Sequence, residues 1–237
     1  MIKIKNEKEL NYYIEKYKLN NIFEKDIKKY MELHFFKKGE HIYRCDENIN
    51  YFYFLVKGRA KVYTISKNGK ALLLRFYKPC EIIGDIEIIQ EIEKERNKFY
   101  SCNVESLDNT IWIGISFDNM KKHVKDDIKF LKYISKSLAY KLCQLGNSSV
   151  LNLLYPLENR LASYILALTY DTNSNKDIIE IEMCKLKDIA ELLGSSYRHL
   201  LRTINALSDK KIIERKRNYI KILDGKKLED LAGDIYK

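Results

Sequence analysis

No stretch of this 237-residue chain approaches the roughly 20 consecutive apolar residues that a membrane span needs. The first residues, Met1-Ile2-Lys3-Ile4-Lys5-Asn6-Glu7-Lys8, lack the apolar core of a signal peptide, so a cytoplasmic location is expected. Its five cysteines, at 45, 80, 102, 143 and 184, contain no C-x-x-C pair, and its four histidines, at 34, 41, 123 and 199, contain no His-x-His pair. Neither a local zinc site nor a ferredoxin-like cluster can be built from such spacing, and no metal is predicted. Strand positions could offer at most His34 and His41, too few ligands for a catalytic metal-binding β-roll. Glycine-rich phosphate loops and the spacings of Ser/His/Asp hydrolases are also absent. An enzyme is therefore not expected, and the cysteines read as reduced, partly buried thiols. Internal repeats and low-complexity linkers are missing too.

What the chain does have is apolar material and positive charge. An apolar content of 46% supports a real core and excludes a wholly disordered chain. The 43 Lys and Arg against 33 Asp and Glu leave +10, a surplus suited to a polyanion such as nucleic acid or an anionic membrane surface. Composition alone does not choose between these and a merely solvated lysine-rich surface.

Pattern along the chain separates three regions. The N-terminal 30 residues are charged and helical in period. From Phe35 to about Ile115, short aromatic and β-branched runs alternate with turn residues: Tyr51 to Val56, then Lys57-Gly58, then Arg59 to Ile65. Asn68-Gly69 is a two-residue hairpin signal, followed by Leu72 to Tyr77, Glu81 to Ile83, Ser101 to Glu105 and Ile111 to Ile115. Strands of this length without an intervening helical period predict an antiparallel jelly roll. Between Met120 and Leu154 there is no proline and only Gly146, which predicts one long helix or a helix broken once. Leu131, Leu138 and Leu145 recur every seventh residue, with Ile128, Ile134 and Leu142 expected beside them, as a seam for a partner helix. A helix lying on its own β domain would use less of that stripe, so dimerisation is favoured. Pro156 then opens another helix. The domains are accordingly 1–118, 119–154 and 155–237.

The segment from Lys187 to Arg202 predicts a helix-turn-helix: a helix to Leu193, a turn at Gly194-Ser195, and a second helix from Tyr197. Ala190 is small where two helices cross, Gly194 can take the left-handed conformation that ends the first, and Ser196 can cap the second. With Leu200, Ile204 and Leu207 turned to the core, Tyr197, Arg198 and Arg202 are left outside, where arginines can pair with guanine edges. Residues 195–227 hold ten Lys and Arg against three acids, or +7. The basic tip Arg215-Lys216-Arg217-Asn218 would be a wing on phosphates.

These motifs, in this order, resemble the CRP/FNR family of bacterial transcription regulators across nearly the whole chain, with YeiL-like regulators as the nearest branch. The resemblance rests on Lys38-Gly39-Glu40-x-Ile42, Phe54-Leu55-Val56-Lys57-Gly58-Arg59-Ala60-Lys61-Val62, Ile83-Gly84-Asp85-Ile86, Leu154-Tyr155-Pro156-Leu157-Glu158-Asn159-Arg160-Leu161-Ala162 and the helix-turn-helix. It implies an α+β chain with a cyclic-nucleotide-binding-type β-roll, a long dimerisation helix and a C-terminal winged helix. It also implies a homodimer on palindromic promoter DNA, with RNA polymerase as a further partner. The effector pocket it implies would involve Gly84, Asp85, Ile86, Tyr100 and Ser101.

The departures carry expectations of their own. In cyclic-AMP-binding members a Gly-Glu pair holds the ribose and a later Arg-Ser pair the phosphate. Here Gly84-Asp85 and Tyr100-Ser101 stand in those places. Burying a phosphate without its arginine is costly, so no cofactor is predicted and cyclic AMP binding is disfavoured. With no cysteine before Cys45, an N-terminal iron–sulfur switch is not expected either. The reading helix carries Arg198 where the family commonly has Glu, which should shift the target consensus. The first helix has Lys185 where a Ser or Thr cap is usual. A β-roll with a basic winged helix that binds nucleic acid without sequence preference remains the alternative.

Overall fold

The computed structural model describes the chain except residues 46, 48, 49, 94–101, 170–178, 183, 184, 218 and 234–237. The polar run Asp171-Thr172-Asn173-Ser174-Asn175-Lys176-Asp177, whose composition reads as a loop, falls outside the described residues. By contacts the chain divides into two units, Met1–Val62 with Phe76–Leu142, and Tyr63–Arg75 with Cys143–Lys237.

The strands of the β-roll are β1 (Ile2–Ile4), β2 (Glu32–Phe36), β3 (His41–Tyr43), β4 (Tyr51–Lys57), β5 (Ala60–Ile65), β6 (Ala71–Tyr77), β7 (Ile82–Ile83), β8 (Asn103–Ser106) and β9 (Thr110–Ser116). They form one sheet in the order β1-β2-β9-β4-β7 and a second in the order β3-β8-β5-β6. In the first sheet β9 pairs antiparallel with β2, setting Trp112 opposite His34, and with β4, setting Ile113 opposite Phe54. Because both faces of this sheet are covered, β4 and β9 read as nearly unbroken apolar runs. Phe52, Phe54, Ile113 and Ile115 face a layer of residues from outside the sheets, among them Ile14, Leu19, Phe23 and Phe130. The alternate residues Tyr53 and Trp112 turn the other way and are also buried. The indole of Trp112 meets the rings of Tyr53 and Tyr77 edge-on, at 6.1 and 6.4 Å between centroids, and donates to Thr110 Oγ1 at 2.9 Å.

The N-terminus departs from the expected helix. Ile2, Lys3 and Ile4 alternate apolar and charged, a period-two signal, and form an edge strand with Ile2 opposite Phe35. Lys3 bridges to Glu32 at 2.7 Å, and Glu32 reaches the buried imidazole of His34 at 3.2 Å. Helix α1 (Glu7–Lys16) follows, capped by Asn6.

Helices α2 (Asp85–Glu93), α3 (Phe117–Val124) and α4 (Ile128–Leu154) complete the first unit, α4 continuing into the second. The long helical stretch is thus broken once, between Val124 and Ile128. Asp127, almost fully buried, sets the break: one carboxylate oxygen accepts the Phe130 N–H at 2.9 Å and the other the Glu24 N–H at 2.7 Å. The second unit contains α5 (Leu157–Ala167), β10 (Ile179–Glu182), α6 (Leu186–Leu192), α7 (Tyr197–Asp209), β11 (Ile213–Arg215), β12 (Tyr219–Ile222) and α8 (Gly225–Ala232). Its three strands form one antiparallel sheet in the order β10-β12-β11. Asn159 and Ser163 of α5 donate to the carbonyls of Leu231 and Ala232, each at 2.8 Å, tying α5 to the chain's last helix.

Asp127→Ala removes a cap and leaves two backbone donors without their acceptor. It is expected to lower the unfolding free energy by about 2 kcal/mol. Urea unfolding followed by circular dichroism reads this directly; an unchanged midpoint would contradict the capping role.

Candidate nucleic-acid interface

The second unit presents a helix, a turn and a second helix over a small sheet. Lys185 precedes α6 and supplies no side-chain cap, so the weak start anticipated from the sequence is present. The end of α6 is better defined. Ser195 N–H donates to Ala190 O at 2.8 Å and Gly194 N–H to Glu191 O at 2.9 Å, with Gly194 at φ +61°. A side chain at that φ would strain the turn, so glycine is what lets it close. The Arg160 guanidinium of α5 donates to Leu193 O beside the turn.

Ser196 then caps α7, its hydroxyl accepting the His199 N–H at 3.2 Å. Leu200, Ile204 and Leu207 are fully buried, together with Ile189, Ala190 and Leu193. The helix is therefore rotated so that Tyr197, Arg198 and Arg202 lie on its exposed side. Four residues separate the two arginines, so they project along one face.

Beside this helix stands the wing. β11 and β12 pair Glu214 with Lys221 and Arg215 with Ile220, and the Lys216 N–H donates to Tyr219 O at 2.9 Å across the turn. Lys216 also forms an ion pair with Glu214, whose carboxyl that contact holds below the usual range. Asn218, expected at the wing tip, lies outside the described residues. Between wing and helices is a notch of about 420 Å³ lined by Lys185, Lys187, Tyr197, Arg215, Lys216 and Arg217, among others. Five cations around one concavity are suited to phosphate oxygens. Arg215 was expected in the wing, and Lys185 was noted in the sequence only as a missing cap; neither it nor Lys187 was expected at phosphates, because a lysine pair at a helix start is a common pattern.

A model of the cyclic nucleotide-binding domain matches residues 33–127, and one of the Crp-like helix-turn-helix domain matches residues 159–231. The chain belongs to the CRP/FNR family. Among curated proteins, "Regulatory protein YeiL" of Escherichia coli O157:H7 is 28% identical over 209 residues, covering 87% of this chain and 88% of that one. Among solved structures, a crp/fnr-family transcriptional regulator from Eubacterium rectale superposes with a TM-score of 0.72 at 20% identity, covering 87% of this chain and 91% of that one. A CRP-family regulator from Thermus thermophilus gives 0.67 at 20% identity, covering 86% and 98%. The chain is thus a CRP-family transcription regulator with a helix-turn-helix DNA-binding domain.

The other residues expected to matter in this CRP/FNR chain lie in the first unit. Gly84 stands at φ +92°, and a Cβ there would come within 3.0 Å of Tyr51 O and 3.2 Å of Phe52 Cα. Asp85, next to it, is the first residue of α2 and is 2% exposed; Ile86 is half-buried. Tyr100 and Ser101 lie outside the described residues. The Asp85 carboxylate is not empty-handed. Lys141 of α4 meets both its oxygens, at 2.8 and 2.7 Å, and also donates to Ile82 O at 2.9 Å. Lys141 was missed in the sequence, although it interrupts the inward stripe Ile134, Leu138, Leu145 at helical spacing.

The proposed seam is redrawn by burial. Ile134, placed beside the seam from the sequence, is 2% exposed and belongs to the core. Leu138 packs partly against the same core, and Leu145 is half-buried. Of the expected seam, Ile128, Leu131 and Leu142 face solvent, as do Tyr140, Val150, Leu153 and Leu154 of the same helix. Seven-residue spacing identified the helix but left its rotation undetermined by one position. Among the described residues no group of three metal-ligating side chains converges, and Cys45, Cys80, Cys102 and Cys143 are free thiols.

Ser196→Ala is expected to cost about 1 kcal/mol and to fray the start of α7. Amide exchange at residues 197–199 should accelerate while that at Leu207 stays slow; equal rates in both variants would remove the cap from the account.

Proposed function

We propose that this chain acts in the cytoplasm as a homodimer on an inverted-repeat promoter site, where it controls recruitment or progress of RNA polymerase. The reading is carried by one observation: a capped helix exposes Tyr197, Arg198 and Arg202 beside a notch ringed by five cations. In the proposed complex α7 enters the major groove, its N-terminal turn nearest the bases. Arg198 and Arg202 read guanine edges. The notch and wing hold the flanking phosphates through Lys185, Lys187, Arg215, Lys216 and Arg217, which positions the reader without choosing sequence. Two such helices brought to one face of DNA require half-sites whose centres lie about one helical turn apart.

The partner contact is proposed along the exposed line of α4, with Ile128, Leu131 and Leu142 at its centre and Leu145 at its edge. Leu142 is 72% exposed, a large apolar side chain left in water in the isolated chain. Burying one leucine on each side of a two-fold seam contributes roughly 3–6 kcal/mol. The roll, including Gly84, Asp85 and Ile86, is the proposed regulatory part.

Leu142→Glu should convert a dimer to a monomer in light scattering, since an unpaired charge in that seam adds its own penalty. Retention of the dimer mass would place the interface elsewhere. On DNA, Arg202→Ala is expected to cost roughly 1–3 kcal/mol and to relax one base position in each half-site. Arg217→Ala should weaken all duplexes alike and flatten the logarithmic salt slope by about one unit. If Arg202→Ala weakened specific and random duplexes equally, Arg202 would be a phosphate clamp and the reader would have to be sought at Tyr197 and Arg198.

A further inference from the structure

Asp85, the acid next to Gly84, stands where the family resemblance sets the effector pocket, and its surroundings are unusual. Asp85 is buried, and buried carboxylates need a cation or several donors. Its cation comes from within the chain. The Lys141 ammonium meets both Asp85 oxygens and the Ile82 carbonyl, and sits 5.4 Å from the centre of the Tyr77 ring. Burial by itself would lower the pKa of this lysine. Tyr77 and Asp85 outweigh that and hold it above the ordinary lysine value. Burial pushes the neighbouring Glu87 carboxyl up; the direct contacts of Lys141 are with Asp85. The Cys102 thiol is pushed up to about 12, chiefly by burial, and adds no competing charge. A carboxylate, a carbonyl and an aromatic face make a cage for a primary ammonium. An anionic ligand placed there would confront Asp85 and would first have to displace Lys141.

The cage has a mechanical consequence. Lys141 lies at the middle of α4, and its anchor to Asp85 adds to the packing of Phe130 and Ile134 in holding the helix's rotation. Ile134 and Leu138 then face the roll, while Leu131 and Leu142 are turned outward. Releasing the anchor would leave α4 held through Phe130 and Ile134 and would loosen the helix beyond them, Leu142 included.

From this we infer that the roll's effector site is an ammonium-binding cage occupied by the chain's own Lys141, which acts as a built-in ligand and holds the regulator in its DNA-binding state. No diffusible cyclic nucleotide is then required. Lys141 is a positioning residue: it acts through the rotation of α4 and touches no DNA. The inference rests on the proposed reading of the chain as a DNA-binding dimer.

The test uses the full chain and a duplex selected by the wild-type chain from a random-sequence pool. Without additive, the wild-type chain should bind this duplex, and millimolar cyclic AMP should leave the affinity within about twofold. Lys141→Ala should lose roughly tenfold or more in affinity, and n-propylammonium, which replaces the deleted side-chain atoms, should restore it. Potassium at equal ionic strength should not. A folded Lys141→Ala protein with wild-type affinity would overturn the inference, as would a wild-type chain whose affinity rises with cyclic AMP. Should Lys141→Ala fail to fold, lysine-selective 15N NMR of the wild-type chain decides. One slowly exchanging ammonium signal, lost in Asp85→Asn, is expected; its absence from the wild type refutes the cage. A chain that shows this signal yet enriches no duplex from the pool would keep the cage and discard the DNA reading.

Discussion

The placement of β9 between β2 and β4, with both faces of the sheet covered, is the constraint on which the first unit depends. One face of β4 and β9 carries Phe52, Phe54, Ile113 and Ile115 into the layer outside the sheets, and through Phe130 and Ile134 that layer seats α4. The other carries Tyr53 and Trp112 into the roll. A strand pair that must satisfy two cores at once tolerates no slip of register, because a one-residue shift would exchange the two sets of side chains. Gly84 belongs to the same constraint: it lies so close to the β4 backbone that α2, and Asp85 at its start, can begin only where they do.

Electrostatics is divided unequally between the two units. In the second it is solvent-facing and additive: Arg198, Arg202 and the cations of the notch stand at the surface, where water and salt moderate each one. The first has surface pairs such as Lys3 with Glu32 but also a buried one, Asp85 and Lys141 closing on each other. The surface charges suit rapid, salt-sensitive encounter with a polyanion. The buried pair contributes little to attraction at a distance and much to which arrangement of the chain exists.

Much of this was legible beforehand, for identifiable reasons. The helix-turn-helix announced itself because Ala190, Gly194, Ser196 and Leu200 each satisfy a separate local requirement and all agree. The β-roll was visible in runs bounded by Lys57-Gly58 and Asn68-Gly69. Less was legible where a residue's role depends on an element distant in sequence. Ile2–Ile4 is too short to declare itself, and its pairing with β2 depends on residues about 30 positions away. The outward rotation of α4 was misjudged at Leu138 and Ile134 because a heptad names a stripe and not the side on which the domain's own core will lie. Lys141 looked like one lysine among many until the fold set it over Asp85, 56 residues earlier.

Trp112 is the only tryptophan of the sequence, and it lies fully buried against Tyr53 and Tyr77. The indole emission of the whole molecule therefore originates inside the roll, with no background from the DNA-binding unit. Tyr77 also lies under the Lys141 ammonium, so the fluorophore is separated from the buried ion pair by a single aromatic ring. The protein carries an optical probe of the state of its own interior, in place without labelling.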